Sequence, residues 1–371
     1  MDMDWVKELD TPCIVVDVDK MKRNIKNMQD TADSYGCALR PHVKTHKSVE
    51  LARMQLAAGA AGVTCAKTSE AETFADGGVE DIFIAYPLIG ETKLRRALRI
   101  KHKTKRFIMA VDCLQGARAA SAFALSENAA FETRIEIDTG AARTGASLQK
   151  LTELANEIRN LKGLNLTGVY TYKGLVLNQT PTIDKDAAGA EEGALISQAV
   201  TILRGLGFDI RDVSAGSTPT GASVAKSGGA TEIRPGTYIF HDLHTMASGV
   251  CSEDDIAAYV YATVVNTREP GLAVLDAGSK TLAADVRLNA RPFPFAGFAK
   301  VAGRDELILD RVNEEHGMIR AINGETGLNV GDVLALMPSH ICPVINLQNY
   351  FYLLENGDLR KITVDARGMV R

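Results

Sequence analysis

A strand-length apolar run followed by a segment of helix length recurs along the first two thirds of the chain, and this alternation restricts the fold more than any other feature. The strand-like runs are residues 38–43, 62–66, 81–86, 107–112, 133–138, 166–172, 210–215 and 232–240. Amphipathic segments separate most of them, at 49–58, 69–75, 93–100, 148–161 and 191–206. An earlier run, 11–16, reads as a strand, and Asp17 or Asp19 can cap a helix through Met21, Ile25 and Met28. Eight βα steps after that first strand predict a (β/α)8 barrel. A doubly wound open sheet is the alternative, but no GxGxxG follows any strand, and residues with chemistry to offer recur at many strand ends.

Past residue 248 the helical period disappears. Residues 257–267 alternate apolar and polar, 271–276, 331–337 and 350–354 read as further strands, and Glu355-Asn-Gly-Asp is a hairpin turn. The expected organisation is a barrel over 17–247 and an antiparallel β domain made of 1–16 plus 248–371, with the first strand paired into the β domain.

At 371 residues there is room for both. The net charge of −4 comes from mixed signs, so no basic field invites nucleic acid. No apolar run approaches the roughly 18 residues of a membrane span, and the acidic opening MDMDWVKELD lacks the apolar stretch of a signal peptide. The six cysteines are scattered without a CxxC pair. These features predict a cytoplasmic protein in a reducing compartment, with neither membrane nor nucleic acid as partner.

The densest chemistry lies in RPHVKTHKS, residues 40–48. Lys44 has Arg40, Lys47, His42 and His46 as sequence neighbours. Like charge and burial both disfavour an ammonium, and a neutral amine is what attacks a carbonyl to form a Schiff base. A solvated basic patch is the plain alternative. Against it, a strand precedes the run and a helix begins near Ser48, which puts Lys44 at a strand end. Ser214–Thr220 (SAGSTPT) follows another strand with small residues that leave backbone N–H groups open to an anion. Arg234-Pro-Gly-Thr-Tyr238 lies at the last barrel strand, and Asp138–Gly145 offers Arg143 as a fixed cation. A reactive lysine with anion loops at strand ends suits a phosphorylated carbonyl cofactor, and pyridoxal phosphate is the obvious one. In the β domain, His340 and Cys342 are two apart, so a strand would turn both to one side. Imidazole plus thiolate suits zinc, with positions left for water or substrate, although a lone H-x-C is more often structural than metallic. Glu314-Glu315-His316 is a further polar cluster, either an outer support of a metal site or a solvated turn.

Taken together, TPCIVVD, RPHVKTHKS, DTGxxRTG, AGSTPT, RPGTYIFHD and PSHIC resemble, in order and over nearly the whole chain, the D-serine dehydratase/D-threonine aldolase family. The resemblance implies a fold-type III pyridoxal-phosphate enzyme related to alanine racemase, with an N-terminal barrel and a C-terminal β domain. It implies Lys44 as the Schiff-base lysine. Ser217, Thr218, Gly236, Thr237 and Tyr238 become phosphate contacts, and Arg143 a partner of the cofactor's phenolic oxygen. Tyr172, with Tyr170 beside it, would line the ring pocket. His340 and Cys342 become ligands to zinc or another divalent ion such as manganese. Members with HxC are typically dehydratases, whereas bacterial threonine aldolases carry HxD.

The implied reaction is β-elimination from a D-3-hydroxy amino acid to a 2-keto acid and ammonia. Retro-aldol cleavage to glycine and an aldehyde is the alternative, with racemisation or non-catalytic cofactor carriage behind it. The family implies a homodimer. The chain also departs from both patterns. Lys173 and Asn178 stand where aldolase-like sequences place histidines, and Tyr172 stands where dehydratases tend to have one.

Overall fold

The computed structural model describes residues 4–371, so the first three residues of the acidic opening lie outside the described residues. The chain divides into two compact units. One gathers Lys26–Lys44, Val49–Gly236 and Met369–Arg371; the other gathers the described residues up to Ile25 with Thr45–Ser48 and Thr237–Gly368.

The first unit is a parallel eight-stranded sheet. Its order is Ala38–Leu39, Glu232–Ile233, Asp212–Ala215, Leu164–Thr171, Phe131–Ile137, Arg106–Val111, Asp81–Pro87 and Val63–Cys65. An isolated parallel bridge between His42 and Thr64 joins the two ends, supported by Val43 N–H to Thr64 O at 3.0 Å. The sheet therefore closes on itself as a barrel, as the alternation predicts. Its strands are buried on both faces, which is why they read as continuous apolar runs. The helices between them bury a single stripe. Glu91–Lys103 turns Leu94, Ala97 and Ile100 inward, and Leu148–Asn160 does the same with Leu151, Leu154, Ala155 and Ile158.

Two strands are shorter than the sequence suggests. The run 38–43 keeps only Ala38–Leu39, and 232–240 keeps only Glu232–Ile233, because Pro41 and Pro235 cannot donate to a ladder. Thr237–Ile239 is a 3-10 turn instead. The helix Leu114–Ser126 was not evident in the sequence, since its alanines and serines blur the periodicity.

One end of the barrel interior is ionic. Arg40 binds Glu232 and Asp81, both at 2.6 Å, and Arg134 binds Glu232 at 2.7 Å while its guanidinium lies 4.6 Å from the centre of the Phe83 ring. Burial alone would raise the Glu232 carboxyl; the Arg134 and Arg40 guanidiniums override it and hold the group well below the ordinary carboxylate range. Gly62 makes room for this network, since a Cβ there would sit 2.2 Å from Arg40 Nη1.

The second unit is a nine-stranded sheet ordered Leu272–Leu275, Gly317–Ala321, Leu307–Val312, Ala299–Val301, Val333–Pro338, Ala258–Glu269, Cys13–Asp17, Tyr350–Glu355 and Asp358–Thr363. Leu272–Leu275 also pairs with Ala258–Glu269, which rolls six of the strands into an antiparallel barrel. The early strand Cys13–Asp17 belongs here, antiparallel to Ala258–Glu269 with Val15 opposite Tyr259, and parallel to Tyr350–Glu355. Along Ala258–Glu269 the buried residues Ala258, Val260, Ala262 and Val264 alternate with outward ones. Asn356 and Gly357, both at positive φ, make the tight turn between the last two strands. Among the described residues, no helix is long and apolar enough to cross a membrane.

Candidate active site

In the parallel-barrel unit, Lys44 lies half-buried in the turn after the His42 bridge, at the strand-end position expected for it. Its Nζ is 5.9 Å from the centroid of the Tyr172 ring, and the Arg143 guanidinium carbon is 4.2 Å from the same centroid. Two candidates from separate segments thus converge on the ring of a third. The basic neighbours that singled out Lys44 have partners of their own. Arg40 is neutralised by Glu232 and Asp81, and Lys47 Nζ donates to the Ala366 carbonyl at 3.4 Å. His42 Nδ1 accepts the Lys44 N–H at 3.4 Å and His46 Nδ1 accepts the Ser48 N–H at 3.1 Å. The run is rich in basic residues because several of them build the turn.

The anion loops also meet. Gly236 N–H donates to Thr218 Oγ1 at 3.2 Å, and both Ser217 N–H and its hydroxyl lie against Thr220 Oγ1, at 3.1 and 2.9 Å. Glu192 braces the loop from beneath, accepting from Gly216 N–H at 3.1 Å and from the Thr220 hydroxyl at 3.0 Å. Gly216 takes φ 80°, and a Cβ there would meet the Gly221 backbone at 2.9 Å. A compact loop of hydroxyls and small residues, with its carboxylate already engaged, fits a phosphate group. Arg234 donates to Ser214 Oγ at 2.7 Å and to the Thr171 carbonyl at 2.5 Å. Tyr170 is a core residue, packed edge-on against Phe83 and donating to Glu136 Oε2 at 2.8 Å.

The two departures from the family pattern share one partner. Lys173, whose side chain is wholly buried, is ion-paired to Glu191 Oε2, and the Asn178 N–H donates to the same oxygen at 3.1 Å. Both positions are committed to holding their loop.

In the β unit, the strand Val333–Pro338 stops short of the H-x-C pair. His340 is the residue before the helix Ile341–Leu347, and Cys342 lies in the first turn of that helix. The strand geometry expected for the pair is therefore replaced by a helix start, where Pro343 is tolerated in the first turn. The two side chains still meet, hydrogen-bonded to each other. His340 Nδ1 lies 2.6 Å from Asp285 Oδ2, and Cys342 Sγ lies 3.2 Å from Thr45 Oγ1 and 3.7 Å from Thr237 Oγ1. Asp242 Oδ2 accepts the intervening Ile341 N–H at 3.1 Å.

Burial opposes a charge on His340, but its hydrogen bonds to Asp285 and Cys342 override it and lift the imidazolium to about 11. Burial also opposes the thiolate, and the hydrogen bond and charge of His340 override it, bringing Cys342 below its usual value. Imidazole and thiol sharing a proton are the donor set a borderline-soft divalent ion takes up by displacing that proton. Among the described residues, no group of three or more His, Cys, Asp or Glu side chains is placed to hold an ion, so the pair would leave coordination positions for water or substrate. The Glu314–His316 cluster is a surface turn, with Glu315 paired to Lys280 at 2.8 Å. Tyr238 is wholly buried. Asp285, Asp242 and Thr45 were missed in the sequence: they lie 55 and more residues from the pair, and no local pattern marks them.

Comparison with known proteins agrees with this arrangement. The model for the alanine racemase N-terminal domain matches residues 16–244, and one for a serine dehydratase domain matches 257–354. D-threo-3-hydroxyaspartate dehydratase of Delftia sp. (strain HT23) is 36% identical over 353 residues, which cover 91% of this chain and 92% of that protein. The crystal structure of D-threonine aldolase from Filomicrobium marinum matches with a TM-score of 0.88 at 29% identity, covering 98% of this chain and 97% of the other. A cysteine-to-alanine mutant of D-threo-3-hydroxyaspartate dehydratase, solved in the metal-free form, matches with a TM-score of 0.88 at 33% identity, covering 96% and 98%. A closed parallel barrel with a lysine turn and a hydroxyl-lined anion loop, followed by a β unit with its H-x-C pair, is thus matched along nearly its whole length, and the chain belongs to the D-serine dehydratase and D-threonine aldolase family of pyridoxal-phosphate lyases.

Proposed function

We propose that this protein is a pyridoxal-phosphate- and metal-dependent lyase that eliminates the β-hydroxyl of a D-3-hydroxy amino acid to give a 2-keto acid and ammonia. The observation that carries the reading is the proton-sharing His340–Cys342 pair, a nitrogen–sulfur donor set in a chain of this family. In this reading residues 17–247 take the cofactor, and 1–16 with 248–371 take the ion, zinc first and manganese as runner-up. When bound, pyridoxal phosphate supplies a sink for the electrons of a Cα carbanion, and a divalent ion supplies Lewis acidity to a hydroxyl leaving group.

The chain's own residues do the rest. Lys44 Nζ holds the cofactor carbonyl and then moves the Cα proton. Ser217, Thr218, Gly236, Thr237 and Tyr238 serve the phosphate, Arg143 the phenolic oxygen, and Tyr172 the ring face. Lys173 is no rival base, because its ammonium is neutralised by Glu191. His340 and Cys342 would hold the divalent ion, which would supply Lewis acidity toward the β-hydroxyl. We further propose a cytoplasmic homodimer.

Retro-aldol cleavage to glycine and an aldehyde is the second reading, favoured by the likeness to a threonine aldolase; it employs the same residues. One experiment tests both. Protein loaded with cofactor and Zn2+ is incubated with D-serine, D-threonine and D-threo-3-hydroxyaspartate, with and without EDTA, and keto acid, ammonia and glycine are assayed. Keto acid and ammonia, lost on chelation, support the elimination. Glycine in their place makes the protein an aldolase, and product that survives chelation removes the ion from the chemistry.

A further inference from the structure

One carboxylate is aimed at the metal pair without belonging to it. We propose that Asp285 is the positioning residue of this site: it holds His340 in the single orientation and tautomer that present Nε2, beside Cys342 Sγ, to a divalent ion. The proposal rests on reading His340 and Cys342 as metal ligands.

The geometry is specific. Asp285 Oδ2 lies 2.6 Å from His340 Nδ1, which leaves Nε2 as the ring nitrogen for Cys342. The side chains of Asp285 and His340 are 47% and 35% exposed, too open for such a pair to add much to folding. Asp285 lies on an irregular segment, three residues past the helix Ser279–Leu282, and no strand or helix dictates its direction. The ring is also confined from its other side. His244 stands edge-on to it at 5.8 Å, fixed by its own Nδ1 at 2.7 Å from the Ser339 carbonyl and by Phe295 at 4.8 Å. Asp242 fixes the peptide between the two donors. A carboxylate behind an imidazole sets which nitrogen faces the metal and makes that nitrogen a better donor. Nε2 and Sγ would be the two protein ligands to an ion bound there. A donor set of imidazole and thiolate selects Zn2+ or Co2+ over Mg2+ or Ca2+.

The test uses the full-length, cofactor-loaded protein stripped of metal, titrated with Zn2+ against a competing chelator and with Co2+ by absorbance. The parent should show a thiolate-to-Co2+ band, and Cys342→Ala should remove it. Asp285→Ala should raise the Zn2+ Kd about 10- to 100-fold and need correspondingly more Co2+ to reach the same band. Asp285→Asn, whose amide oxygen can still accept from Nδ1–H, should fall between them and serves as the probe if the alanine variant does not fold. Melting of the metal-free protein should be unchanged in both. Zn2+ binding by the Asp285 variants as tight as in the parent overturns the proposal. Absence of binding in the parent, or undiminished binding in Cys342→Ala, overturns the metal-site reading itself and the proposal with it.

Discussion

The ionic end of the barrel and the pair in the β unit are both clusters of charge, and they differ in how completely their groups are spoken for. Arg40 and Arg134 are almost wholly buried, with Glu232 accepting from both and with Asp81 and Asp212 beside them. Their opposite charges are paired within the cluster, away from solvent. At His340 and Cys342 the side chains are partly exposed and hydrogen-bonded to each other, and Asp285 and Thr45 support them from outside the pair. Charge density alone therefore does not mark a site. A buried cluster whose opposite charges pair within itself serves the fold, whereas a half-exposed pair of donor atoms is the better candidate for a ligand.

Lys44→Ala should have the largest effect, since it removes the residue to which the cofactor would be joined. Turnover should fall to background and the absorbance of the protein-bound cofactor should shift to that of unlinked cofactor. An unchanged spectrum would place the linkage on another lysine. Glu232→Ala should weaken the paired cluster, taking from Arg40 and Arg134 the carboxylate they share at a cost of about 3–5 kcal/mol, read from denaturant unfolding. If the loss were instead in activity at unchanged stability, the contrast between the two clusters would fail.

Cys342→Ala should do the reverse. Ion content and turnover should both fall, by at least the roughly 10- to 100-fold that loss of an outer partner of a metal ligand costs, while melting stays near that of the parent. The pH dependence separates the clusters further. Glu232 is held below its ordinary 4.5, so its ion pairs contribute fully above that pH and are lost as pH falls through the depressed folded value. Acid unfolding of the parent should therefore steepen below pH 4.5, and Glu232→Gln should flatten that limb. The smallest effect is expected at Lys173→Met. Its ion pair holds a loop, so kcat should change by less than about 10-fold, the loss of a positioning contact rather than of a general base. A collapse comparable to Lys44→Ala would make Lys173 part of the chemistry.

Much of this was legible in residue order. Parallel strands buried on both faces must be apolar throughout, and helices packed on them must repeat at helical spacing, so the eight-step alternation announces the barrel. The Gly/Ser/Thr loop and the basic turn were visible because each is a contiguous run of one class of residue. Strands such as Ala299–Val301 and Leu307–Val312 were not read from the sequence, being short or interrupted by charge. The H-x-C pair was found for a reason that did not hold: its side chains meet at a helix start, not along a strand.

Local sequence determined where elements begin, which face each one buries and which residue types are available to chemistry, because capping, periodicity and turn formation act within a few residues. Tertiary structure alone decided what each charge is for. Arg40 and Lys44 are four residues apart, yet one is consumed by Glu232 and Asp81 while the other is directed at Tyr172. Glu191 turns Lys173 into a structural cation, and Asp285, distant in sequence, orients His340. Electrostatic and hydrogen-bond partnerships act over a few ångströms in space regardless of chain separation, so the role of an ionisable side chain is set by which segments the fold brings to it.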